Sequence, residues 1–105
     1  MFYRVTARFK TETAADYLAK LTDGTIESQR PDGREIVGAM NRAVLTEEGA
    51  VSWSEVCYCP TPLAHERATV FDKHFEDLET EVVEGYQDHE GRPFMEYLSE
   101  LVEAR

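Results

Sequence analysis

A chain of 105 residues with 42% hydrophobic side chains is long and apolar enough for one domain with a core, which excludes a disordered segment or a multidomain assembly. Its 21 acids against 11 Lys and Arg give a formal net charge of -10, a balance that argues against a nucleic-acid partner, whose phosphates need cations. No apolar run approaches the roughly 18 residues of a membrane span, and two cysteines are too few for a disulfide scaffold.

Phe2–Lys10 alternates, with Tyr3, Val5, Ala7 and Phe9 on one side and Arg4, Thr6, Arg8 and Lys10 on the other. That period of two predicts a half-buried strand. Neither a continuous apolar core nor a cleavage site marks this segment as a secretory signal, so a cytoplasmic protein is expected. Thr11 or Thr13 can cap a helix with the stripe Ala14, Leu18 and Leu21, ended by Asp23-Gly24. Gly24 to about Glu35 reads as a loop, with Pro31-Asp32-Gly33 as its turn.

Arg34–Leu45 supports two readings. Ile36, Val37, Met40 and Val44 fit a helical stripe, but a strand from Met40 onward would lead through Thr46-Glu47-Glu48-Gly49 into a hairpin with Ala50–Cys59. The strand is the expectation, because the second arm of a hairpin needs a partner. On that arm Val51, Trp53, Glu55, Cys57 and Cys59 share one face; Ser52, Ser54, Val56 and Tyr58 share the other.

Pro60-Thr61-Pro62 marks a boundary, after which a helix runs from Leu63 to about His74. Residues 75–86 fit either its continuation or a new strand near Leu78–Tyr86, favoured by Thr80, Val82 and Val83. Seven acids fall between Glu76 and Glu90. A last helix follows Gly91 and Pro93, with Phe94, Leu98, Leu101 and Val102 at helical spacing. The order predicts an α+β domain with a ferredoxin-like split βαβ (β-α-β-β-α-β) antiparallel sheet and an extra C-terminal helix.

Charged residues on apolar faces single out a candidate site. With Leu63 at 0° and 100° per residue, Arg67 and His74 fall at 40° and 20°, inside the apolar arc of the helix after Pro62. Glu55 lies on the Trp53 face of the hairpin. A buried carboxylate or guanidinium is too costly to leave alone, so Glu55 and Arg67 are expected to pair beneath Trp53, with Cys57 and His74 nearby. In a ligand pocket Glu55 and His74 would be the proton carriers and Arg67, Trp53 and Cys57 the binding residues. His65-Glu66-Arg67 lacks the second His of a helical zinc motif and reads as helix surface apart from Arg67.

Cys57, Cys59, His65 and His74 could be counted as four zinc ligands, but one residue between the thiols is too few and the two imidazoles project to different faces, so no metal is expected. No phosphate-binding Gly loop or serine elbow occurs, and no cofactor is expected. Two classes of function stay open. One is a non-catalytic module, homodimeric or partner-binding, that uses an open sheet face bearing Arg4, Thr6, Arg8, Ser52 and Ser54. The other is a cofactor-free enzyme or small-molecule binder built on Glu55, Arg67 and His74.

Overall fold

The computed structural model describes residues 1–104 and has an α+β architecture built on a five-stranded sheet. Strand β1 (Phe2–Phe9) pairs antiparallel with β3 (Val51–Val56) on one side and with β4 (Phe75–Val83) on the other. Two-residue strands β2 (Val44–Leu45) and β5 (Arg92–Pro93) extend the sheet to give the order β4-β1-β3-β2-β5. All four pairings are antiparallel. The alternation in β1 is obeyed: Tyr3, Val5 and Ala7 are buried and lie opposite Glu55, Trp53 and Val51. Full burial of a side chain such as Val5 contributes roughly 1.5–3 kcal/mol.

Helix α1 (Ala14–Thr22) follows a short 3-10 turn and buries Ala14, Tyr17 and Leu21. The expected strand from Met40 is instead the end of helix α2 (Gly33–Arg42), whose buried stripe is Gly33, Ile36, Ala39 and Met40. The reason lies at the edge of β3. Along β3, strand β2 covers Val51 and Ser52 and reaches no farther. Farther along, side chains of α2 take the place of a strand: the Arg42 guanidinium donates to the Ser54 carbonyl at 3.0 Å, and the Val56 N–H donates to Glu35 Oε2 at 3.0 Å. The backbone groups that demand a partner find one without a second long strand.

The helical segment 64–74 is not regular. Ala64–Glu66 and Asp72–His74 are α-helical, and Arg67–Phe71 between them is π-helical. Leu63 precedes it in the left-handed region (φ 56°) and is fully buried. The strand β4 then starts directly at Phe75, which resolves the alternatives for residues 75–86 in favour of a strand. Asp77 (φ 54°) supplies the extra residue of a bulge where the register against β1 shifts between Thr6 and Arg8. The C-terminal helix Phe94–Glu103 buries Phe94 and Leu98, as its spacing predicts. Phe75 stands at the centre of the core, in ring contact with Phe9, Trp53, Phe71 and Phe94.

The far sheet face is not fully open. Residues 84–91 cross it, and Ser52 and Ser54 are buried beneath them, bonded to His89 at 3.2 Å and to the Gln87 backbone. No helix among the described residues is long and apolar enough to cross a membrane.

Candidate functional site

Strand alternation delivers Trp53, Glu55 and Cys57 to the core side of the sheet. Glu55 is 0% exposed, and the Trp53 Nε1–H donates to its Oε1 at 2.7 Å. The helical segment places Glu66, 1% exposed, within side-chain hydrogen-bonding reach of Glu55. Ionised carboxylates only accept. With both ionised, Glu55 Oε2 and both oxygens of Glu66 have no donor. A proton held between the two carboxyls supplies one.

The electrostatics agree with that count. Burial, and then the hydrogen bond and charge of Glu66, hold Glu55 well above the usual carboxylate range; the Trp53 bond opposes this and is outweighed. Burial pushes Glu66 up to about 8, with Cys57 and Asp32 adding to the rise and the bond from Glu55 moderating it. The pair therefore carries a proton at neutral pH, and its titration belongs to both groups together.

Glu66 also faces a cavity of about 290 Å³. Pro31, Val56, Cys57 and Cys59 form its mostly apolar wall, and Tyr58, 87% exposed, stands at its mouth. Asp32 and Glu35 are the other two carboxyls on the lining. Asp32 is held by His65 Nδ1 at 2.6 Å and by the Gln29 amide at 3.0 Å. Glu35 accepts from Arg42 at 3.2 Å and from the Tyr86 hydroxyl at 2.9 Å. The Cys57 sulfur accepts the Cys59 N–H at 3.3 Å, and burial raises its thiol pKa.

The residues named from sequence divide into two groups. Glu55, Trp53 and Cys57 come together on the buried face of the sheet, and of these Cys57 lines the cavity. Arg67 does not: its side chain is 42% exposed and its Nε bonds Asp72 Oδ1 at 3.0 Å. The expected Glu55–Arg67 pair is corrected to Glu55–Glu66, and Glu66, read as helix surface, is the buried member of His65-Glu66-Arg67. The helical projection erred because it started at Leu63, which lies outside the helix, and because the π turn changes the angle per residue. Glu66, Val70 and His74 lie four residues apart and are all buried, so they share the inward face of the segment.

His74 is buried elsewhere, stacked on Tyr17 with ring centroids 4.0 Å apart and bonded to Thr13 Oγ1 at 2.9 Å. Burial pulls its imidazole down to about 4, against the upward pull of Asp16 at 3.9 Å. It borders a separate cavity of about 160 Å³ with Lys20, Thr69 and Lys73. Among the described residues no three His, Cys, Asp or Glu side chains are grouped to hold a metal ion. Both cysteines are free thiols.

Comparison with protein-family models, curated proteins and solved structures gave no match.

Proposed function

We propose that the chain is a small-ligand-binding module whose site is the cavity bordered by Glu66, with Glu55 and Trp53 beneath it. The observation that carries this is a carboxyl group 1% exposed, with no donor among the described residues besides the protonated Glu55, on the wall of a largely apolar cavity. A buried polar group without a partner costs about 1–3 kcal/mol, and an occupant that donates to it offsets that cost. In this arrangement Glu66 meets the ligand, Glu55 shares its proton, Trp53 orients Glu55, and Cys57 forms part of the wall. A group that exchanges a proton near neutrality also has the capacity for general acid–base chemistry, so a cofactor-free enzyme is the catalytic form of the same proposal. His74 and Arg67 have no part in it.

The test is a screen of small organic compounds against the ¹⁵N-labelled protein. Shifts concentrated on residues 56–59, 32–35 and 66 are expected. Hits that perturb only other surfaces refute the assignment.

Self-association is a second reading, favoured by the free outer edge of β4, which pairs only with β1 and leaves Thr80 and Val82 exposed. A homodimer joined there would sediment as such at micromolar concentration; a monomer under those conditions removes the reading. We further propose that the sheet is a ferredoxin-like split βαβ unit. The supporting observation is the run β4-β1-β3-β2 with antiparallel neighbours, to which Arg92–Pro93 adds a short edge. Cytoplasmic residence is proposed on the two free thiols. The absence of a nucleic-acid partner is proposed on the net charge.

A further inference from the structure

The cavity bears three carboxyl groups and no basic side chain. Two of the three are already partnered, Asp32 by His65 and Gln29, Glu35 by Arg42 and Tyr86. Glu66 has no donor among the described residues other than the protonated Glu55. Beside it lie Cys57 and the apolar wall, and the exposed ring of Tyr58 stands at the mouth. Building on the ligand-binding proposal above, we infer that the occupant is a small organic cation, an ammonium group on an apolar body, with Glu66 as its counter-ion.

The chemistry discriminates among the alternatives. An ammonium has three N–H donors and no acceptor, so it supplies the donor that Glu66 lacks together with the opposite charge. An alcohol brings one donor. A carboxylate ligand brings none when ionised and would meet three carboxyls in a site partly shielded from water. The apolar body matches the wall, and the Tyr58 ring can cover a cation that enters beside it.

The cation takes over the role of the proton on Glu66. As it binds, that proton leaves to solvent, Glu55 keeps its own and continues to donate to Glu66, and Glu66 is left ionised against the ammonium. Around Glu66 stand Glu55 and Cys57 from the β3 side and Asp32 from the turn before α2, the last held by His65 of the same helical segment. Glu35 of α2 acts through Glu55. Apart from the His65–Asp32 and Arg42–Glu35 partners, the charged neighbours are acids, which oppose a bare Glu66 carboxylate and favour its pairing with a cation. Binding therefore tightens as pH rises toward 8, on the order of tenfold per pH unit while the pair still holds its proton.

The experiment uses three probes with one apolar body: n-hexylammonium, n-hexanol and hexanoate, each titrated into the ¹⁵N-labelled wild type at pH 6 and pH 8. Hexylammonium is expected to shift residues 56–59 and 66 most strongly and to bind at least tenfold more tightly at pH 8, with hexanoate inert. In Glu66→Gln its advantage over hexanol should vanish. Hexanol or hexanoate binding as well as the ammonium overturns the inference while leaving the cavity as a ligand site. No response at the cavity to any of the three overturns both. The pH dependence of the wild type decides the matter if the variant does not fold.

Discussion

Replacing Glu66 by Gln keeps the shape of the protonated carboxyl and removes its ability to ionise. In the wild type the group titrates near 4.5 when unfolded and at about 8 when folded. Between those values the folded state holds a proton that the unfolded state has released, so stability falls as pH rises through that window. It is fully present below pH 4.5 and fully lost above about pH 8. At about 1.4 kcal/mol for each tenfold change in proton affinity, the span from 4.5 to about 8 corresponds to a ceiling of about 5 kcal/mol. That is comparable with the whole stability of a small domain, about 5–15 kcal/mol. Glu66→Gln does not suffer this loss. Urea unfolding should therefore show the two proteins alike at pH 5 and the variant more stable at pH 8.5, by several kcal/mol. Trp53, the single tryptophan and fully buried, is the fluorescence reporter. A variant no more stable than the wild type at pH 8.5, with a wild-type curve flat from pH 6 to 8.5, refutes the reasoning.

Three further outcomes follow from the same geometry. Arg67→Ala removes only a half-exposed pair with Asp72 and should cost less than about 1 kcal/mol by thermal or urea unfolding; a loss of 3 kcal/mol or more would restore Arg67 as the partner of a buried carboxylate. His74 is held down to about 4 by burial, so it stays neutral in the folded protein while the unfolded chain protonates near 6.5. Its contribution is present above pH 6.5 and lost as pH falls to about 4, and an imidazole NMR titration midpoint near 6.5 would contradict this. Gly33→Ala would set a Cβ 2.1 Å from the Ile26 carbonyl oxygen; backbone there must move, and a cost of more than about 2 kcal/mol is expected from calorimetry, whereas an unchanged melting temperature would show that the 26–33 turn is soft.

Local periodicity made much of the fold legible. The two-residue alternation of Phe2–Phe9, the boundary at Pro60-Thr61-Pro62 and the helical spacing from Phe94 to Val102 each appear in the structure where the pattern places them. The misreading of Met40–Arg42 as strand has a specific cause. A hairpin arm needs hydrogen-bond partners, and nothing in a linear pattern reveals that Arg42 and Glu35 side chains supply them to Ser54 and Val56. The candidate site was half visible. Alternation put Glu55 beside Trp53 and Cys57 on the buried face, but the choice of its partner required the phase of the 64–74 segment. That phase is set by a left-handed Leu63 and a π turn at Arg67–Phe71, neither of which carries a sequence signature. Asp32 and Glu35 reached the cavity only through the turn into α2, a tertiary placement that composition does not encode.

The most direct measurement is a ¹³C carboxyl titration of protein labelled at the glutamate side chains, with Glu55→Gln and Glu66→Gln used to assign the two buried groups. Burial of two hydrogen-bonded carboxyls predicts that both resonances titrate well above the other glutamates and that each variant displaces the midpoint of the group that remains. Midpoints for Glu55 and Glu66 between 4 and 5, independent of each other, would contradict it.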